Sequence, residues 1–436
     1  MIGVLIAIAL AVLDTAIANT ALPTIAAKLD VSPDASVWVV TVYQLTLVAV
    51  LLPLAALGEI IGQRRVHLYG LAMFTAASLF CACAWSLPSL VVARALQGIG
   101  AGAIMAVNIA LIRFIYPAER LGQGVGRNAL VVAVSFVVGP TVASAILLLA
   151  PWPWLFAVNV PAGLIGLALG RSSIPETLHA ARRFDWLSAL LSGATFSLLV
   201  LGLGEAVHAA PWPRIAAEWA GAAGCAVWLL RRQSGHEAPM LAADLLRRPV
   251  FALSAATAIG AFAAQGLAFV SLPFLLQHGF GFSQVETGFL ITPWPVVVAV
   301  MAPIAGYLAD RWAPGLLGGI GLAILAIGMA LLATMTAPLS TVGIGWRLAL
   351  CGAGFGFFQA PNVRAMMASA PLSRSGSAGG MVSLVRLLGQ TTGAALVAAC
   401  YAVFGTAGPT SALALGAGFA AAASIASLLR LSLRSQ

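Results

Sequence analysis

One carboxylate stands apart from the other acids of the chain by its depth. Asp14 lies about twelve residues into an apolar run that begins at Ile2, roughly 18 Å along a helix and so near the middle of a bilayer. Glu59 and Asp310 fall where runs end, Glu205 and Glu218 near the ends of two others, and Glu286 at the start of another. An unpaired carboxylate in a low-dielectric cavity favours its neutral form, so its proton affinity would depend on the side from which water reaches it. Reversible proton binding is the chemistry this permits. A structural part is open too, in which Asp14 bonds a neighbouring backbone group or Asn19 and holds its helix in place. Hydrolysis by paired acids is set aside, because no second acid or His shares that depth. His67, His179, His208, His236 and His278 all sit at run ends or between runs.

Arg94 and Arg347 also lie inside apolar runs. Arg94 is about six residues, roughly 9 Å, from the end of its run. A buried Arg costs several kcal/mol unless it meets an acid, a carbonyl or water, so it is expected to face the interior of a helix bundle; anchoring by snorkelling is the alternative. Polar side chains within runs are candidates to line a cavity: Asn19, Tyr43, Gln44, Gln97, Asn108, Gln265, Gln359 and Asn362. Some of these are expected to act only as hydrogen bonds between helices. The five Cys all fall within apolar runs and suggest neither a metal site nor a disulfide set. No cofactor is expected beyond the proton as coupling ion.

What must position these groups is a membrane bundle. The 436 residues are 61% hydrophobic and only 8% charged, against about 25% charged in soluble domains. Fourteen apolar runs follow one another, at about 2–27, 37–57, 66–87, 88–115, 122–150, 154–170, 185–206, 212–230, 250–278, 285–309, 315–336, 340–367, 376–405 and 409–429. Most are long enough to cross about 30 Å of hydrocarbon as helices, and no alternating barrel pattern is present. Met1 opens almost directly into the first run, which is therefore expected to be a span rather than a secretory signal.

The net charge of +9 does not point to nucleic acid, because the arginines punctuate run ends instead of clustering. With a cytoplasmic amino terminus, the inner loops and tail hold Arg64, Arg65, Arg120, Arg171, Arg182, Arg183, Arg231, Arg232, Arg247, Arg248, Arg311, Arg374, Arg430 and Arg434, and the outer loops only Lys28 and Arg214. That asymmetry predicts both termini inside.

The chain also repeats itself. Gly98, Gly100, Gly102 and Asn108 recur 254 residues later as Gly352, Gly354, Gly356 and Asn362, preceded by Arg94 and Arg347. A shift of 250 relates Gly126, Gly139 and Thr141 to Gly376, Gly389 and Thr391. A duplicated six-helix unit would leave this trace. The expected organisation is an all-α membrane protein with a six-helix bundle at 1–170, a linker with two extra spans at 171–249, and a second six-helix bundle at 250–436.

Several strings carry a family resemblance. LAALGEIIGQRRV, ending the second run, and GYLADRWAP, ending the tenth, resemble the cytoplasmic signature of the major facilitator superfamily, although Ala55, Glu59, Ile60 and Gln63 depart from it in the first copy. LVVARALQGIGAG resembles the family's fourth-helix motif. Gly126, Gly139 and Pro140, spaced along the fifth run, resemble its antiporter motif, with Ser135, Ala143 and Ser144 where Gly is usual. LDTAIANTALP, Leu13 to Pro23, and WPWLFAVNVPAG, Trp152 to Gly163, are similar to motifs of the fourteen-helix drug:proton antiporter branch.

The resemblance implies two six-helix bundles working by alternating access in a multi-pass inner-membrane protein. It implies proton coupling at Asp14, coupling charges at Arg94 and Arg347, and a cytoplasmic gate of Glu59 with Arg64 and Asp310 with Arg311. It further implies multidrug efflux, hence drug resistance, by antiport of amphipathic or cationic compounds such as dyes and biocides. Export of a neutral or anionic metabolite, or proton-coupled import, remains the alternative reading. An enzyme or scaffold would want catalytic residues at one depth or a large soluble domain, and the longest loop, about 231–249, is too short to fold alone. The partners expected are a small-molecule substrate, protons and the bilayer, without nucleic acid, for a monomer.

Overall fold

Where no water can satisfy backbone groups, an apolar run must bond its own N–H and C=O groups, and it does so as a helix. The computed structural model describes residues 1–177, 183–207, 211–234, 239–335 and 340–432, and Arg182, Arg434, His179, His208 and His236 lie outside them. The principal helices, in order, are α1 (Ile2–Leu29), α2 (Trp38–Ile61), α3 (Gln63–Ala82), α4 (Leu87–Ile115), α5 (Leu121–Leu149), α6 (Asn159–Ser173) and α7 (Trp186–Val207). There follow α8 (Trp212–Gln233), α9 (Pro249–Phe274), α10 (Pro293–Ala309), α11 (Pro314–Ala333), α12 (Thr341–Ser369), α13 (Ser375–Phe404) and α14 (Gly408–Ser432). No strand occurs among the described residues. Helix starts are set locally: Ser86 and Ser340 accept the backbone N–H groups of Ser89 and Gly343.

Thirteen helices among the described residues are long and apolar enough to cross a membrane. The one expected span that falls short is α8, which has 22 residues but carries Arg214, Glu218, Arg231 and Arg232. It packs along α7 as a hairpin, joined at one end by Arg214 to Glu205 and at the other by Arg232 to Asp185 at 3.2 Å. The span before α11 also differs from a single rod, since a short helix, Gln284–Ile291, precedes α10 and gives way to it at Thr292 and Pro293.

The repeat read in sequence is a repeat of packing. In the first six helices α1 packs on α5 and α6, α2 on α4, and α3 on α4 and α6. In the last six, α9 packs on α13 and α14, α10 on α12, and α11 on α12 and α14. The alternating glycines explain the close approach. A Cβ on Gly98 or Gly102 would strike α2 at Tyr43 or Leu47, and one on Gly100 would strike α3 at Phe74. Its counterparts on Gly352 and Gly356 would strike α10 at Trp294 and Val298, and on Gly354 would strike α11 at Leu325. Helix α7 lies against α2 and α13 together.

Candidate functional site

Asp14 is not alone. Its carboxylate, 1% exposed, meets the guanidinium of Arg94, 0% exposed, at 2.5 Å. It also accepts from Gln97 Nε2 at 2.9 Å and Asn159 Nδ2 at 2.8 Å. Arg94 and Gln97 stand three residues apart on one face of α4, and Arg94 Nη1 also donates to Gln97 Oε1 at 2.5 Å. Arg94 Nε donates to Val39 O at 3.0 Å, Gln97 reaches Ser78 Oγ at 2.9 Å, and the guanidinium lies 4.2 Å from the Tyr43 ring. Five helices, α1, α2, α3, α4 and α6, are thus held at one buried point.

This corrects the expectation of an unpaired acid, and Asn19 is not the group that satisfies Asp14. The physical reason is the cost of burying either charge alone: an acid and an Arg at the same depth in one bundle neutralise each other. Two cavity candidates move with the correction. Tyr43 is buried and donates to Ala11 O at 3.3 Å, and Gln97 belongs to the Asp14 cluster. The duplicate arginine has no such partner, because α9 carries no acid. Arg347 Nη1 donates to Gly343 O of its own helix at 2.6 Å and the guanidinium lies 4.8 Å from the Trp346 ring.

A cavity of about 500 Å³ opens between the two sets of helices. Asn19, Gln44, Gln265 and Gln359 line it, and Asn19 and Gln44 are solvent-exposed. Its apolar wall is aromatic: Phe136, Phe262, Phe269, Phe355 and Trp294. Arg386 and Gln390 of α13 complete it, with Gln390 Nε2 donating to Gln265 Oε1 at 2.9 Å. A void of about 50 Å³ continues toward the opposite end, where Asn108 and Asn362 are found. Asn108 donates to Asn128 Oδ1 at 2.8 Å, and Asn362 donates to Ser254 O at 3.0 Å while accepting from Arg430 at 2.8 Å. Both amides therefore serve contacts between helices as well as that void.

At the end carrying Glu59 and Asp310 the two sets of helices close on each other. Asp310, at the end of α10, accepts from the backbone N–H groups of Gly122 and Gln123 at 2.8 and 3.1 Å, so it caps the first turn of α5. Glu59, at the end of α2, accepts from Ser377 N at 2.7 Å and so caps α13 in the same way. Each acid thus crosses to the other half of the chain. The basic partners are not those expected: Arg364 pairs with Asp310 at 2.9 Å, and Arg374 pairs with Glu59 at 3.0 Å and Asp244 at 2.9 Å. Arg64 instead faces Glu176 at 3.5 Å and Arg171 O at 2.6 Å, and Arg311 lies over the Tyr307 ring at 4.4 Å. Arg64, in the first turn of α3, and Arg311, just past α10, turn away from these acids, whereas Arg364 arrives from α12 and Arg374 from the turn that leads into α13.

Glycine makes the seam tight. The Gly122 and Gly306 backbones touch, a Cβ on Gly126 would lie 2.7 Å from Ala302 O, and one on Gly380 would lie 2.7 Å from Ala55 Cβ. Gly139 is used elsewhere, facing Ala16 of α1, and α5 continues as a helix through Pro140. Sequence reasoning did not single out Arg386, Arg364, Arg374, Asn128 or Asn159. For Arg386 the signal was present, since it is a basic residue deep within a run like Arg94, and Asn128 and Asn159 are amides within runs like Asn108; which groups they meet carries no mark in one dimension.

The sequence profile described as Major Facilitator Superfamily matches residues 4–394. Over 433 residues, covering 99% of this chain and 95% of the relative, the chain is 47% identical to "Uncharacterized transporter YebQ" of Escherichia coli (strain K12). It is 32% identical to "Multidrug resistance protein Stp" of Mycobacterium tuberculosis (strain CDC 1551 / Oshkosh), over 90% of this chain and 73% of that one. It is 26% identical to "Riboflavin transporter RibZ" of Clostridioides difficile (strain 630), over 92% of this chain and 88% of that one. With its helical pairs, its duplicated packing and this match along nearly its whole length, the chain belongs to the Major Facilitator Superfamily and is a multi-pass membrane transporter.

Proposed function

We propose that the protein exports amphipathic small molecules across the cytoplasmic membrane in exchange for protons, as a fourteen-helix antiporter working by alternating access. In this reading residues 1–170 and 250–436 are the moving bundles, 171–249 is the added helix pair, both termini are cytoplasmic, and the chain acts as a monomer. The observation that carries it is the pairing of a cavity exposed at Asn19 and Gln44 with a seam closed by Glu59 and Asp310 at the other end. A cavity open at one end and sealed at the other is one of the two states such a cycle requires. The seal consists of charge-assisted bonds between halves, each worth about 1.5–3 kcal/mol, so it can be made and broken within a transport cycle.

Proton coupling is assigned to Asp14. A proton on Asp14 removes the charge opposite Arg94 and leaves a buried guanidinium uncompensated, which favours a rearrangement of α1, α4 and α6 around it. The coupling group is walled off from the cavity, so proton and substrate need not compete for one carboxylate. Among the described residues that line the cavity none is acidic, which favours neutral or anionic amphiphiles over cationic ones. The relatives' names supply both a multidrug and a riboflavin precedent.

The test uses inside-out membrane vesicles containing the protein, energised to acidify their interior. Dansyl amide, a neutral amphiphile, is expected to accumulate and to leave when a protonophore is added. Accumulation that ignores the protonophore would overturn the coupling, and none under any gradient would overturn the export.

A further inference from the structure

Most of the buried and half-buried arginines among the described residues meet an acid or a pair of polar side chains. Arg94 meets Asp14, Arg364 meets Asp310, Arg374 meets Glu59 and Asp244, and Arg430 meets Asn362 and Ser254. Arg386 is different. It stands eleven residues into α13, roughly 16 Å along the helix and so near the midplane, on the boundary between the open cavity and the void below it. Its five N–H donors find only Met105 Sδ, at 3.8 Å, and no described carboxylate pairs with it.

The surroundings of Arg386 repeat one theme. The other polar groups of the wall, Asn19, Gln44, Gln265, Gln359 and Gln390, are neutral amides, and Phe262 and Trp294 supply an apolar face. A guanidinium with spare donors at this depth is costly unless something in the cavity meets it. About 500 Å³ is room for a drug-sized molecule. The chain supplies the cation, the amide donors and the aromatic surface; what is missing is the anion.

We propose that Arg386 is a substrate-binding residue and that the transported compound is an amphipathic organic anion. Its carboxylate or comparable acidic group is held by the Arg386 guanidinium, and its apolar body lies against Phe262 and Trp294. The amides of Gln359 and Gln390 are placed to orient the same group. This names the substrate class within the export reading above and rests on it for the direction of transport, but binding itself needs no gradient.

The experiment exploits that independence. The purified full-length protein in nanodiscs of zwitterionic lipid, at one pH and without a gradient, is titrated with dansylglycine, dansyl amide and dansyl-ethylenediamine. Energy transfer from tryptophan to the dansyl group reports binding. The anionic probe is expected to bind tighter than the cationic one by roughly tenfold or more. Arg386→Gln should abolish that preference, read as the ratio of anion to cation affinity within each protein, and Arg386→Lys should keep part of it. If Arg386→Gln fails to bind dansyl amide, the wild-type preference and the Arg386→Lys titration decide. Equal or tighter binding of the cation by the wild type, or a preference that survives loss of the charge, would overturn the proposal. Intact anion preference without proton-driven flux would sink the exporter reading alone, and intact flux without preference would sink this one alone.

Discussion

Replacing Asp14 by Asn tests the buried cluster by the sign of its effect on stability. Were the acid unpaired at this depth, removing its charge would stabilise the protein, because a desolvation cost would vanish. In the cluster the opposite holds. The carboxylate accepts three N–H groups, from Arg94, Gln97 and Asn159. An Asn keeps one acceptor oxygen, turns an NH2 toward those donors, and leaves Arg94 with no counter-charge. Breaking one side of a buried ion pair costs about 3–5 kcal/mol, and relief of the carboxylate's own desolvation offsets part of it. We expect Asp14→Asn to destabilise by about 3 kcal/mol and Arg94→Gln by a similar amount. The double variant should cost less than their sum, with a coupling of about 2 kcal/mol. Reversible unfolding in mixed detergent micelles measures all four proteins. Additive single effects, or an Asp14→Asn variant as stable as the wild type, would refute the reasoning.

Three further outcomes follow from the seam and the repeat. Asp310→Asn and Glu59→Gln should shift the population toward opening at that end by similar amounts, about 1–3 kcal/mol each, because each acid caps a helix of the other half and each pairs with an Arg. Spin-label distances across the seam measure the shift, and a strong effect of one variant with none of the other would contradict it. Gly126→Leu should block closure and slow turnover while leaving probe binding in the cavity intact, since its side chain must displace the Ala302 backbone; normal turnover in vesicles would contradict it. Arg347→Gln should change stability and transport far less than Arg94→Gln, because Arg347 bonds only within its own helix and stacks on Trp346; equal losses would show a role the geometry does not give it.

The helices were legible because each run is long, apolar and bounded by charge, and the repeat was legible because its glycines are placed by backbone contact. A Gly that must let another helix pass leaves a residue-type signature that no other side chain can imitate. Helix α8 was the misfit, since its charged ends lower its hydropathy although its length is ordinary. Pairings were not legible. Asp14 and Arg94 are 80 residues apart, and Glu59 and Arg374 are 315 apart. Only packing decides which acid meets which base. The family resemblance suggested Arg64 and Arg311, which turn instead to Glu176 and to the Tyr307 ring. Arg386 could have been read from depth alone, by the same criterion that identified Arg94.

Exchange of substrate for protons is decided by whether substrate flow moves protons the opposite way. Proteoliposomes enclosing a pH-sensitive dye are diluted so that dansylglycine is high outside and absent inside, with no initial pH difference. Inward flow of the compound should drive protons out and raise the internal pH, and Asp14→Asn should abolish the change while the compound still binds. Internal acidification, which would mean that substrate and proton travel together, or substrate entry with no pH change at all, would rule out exchange.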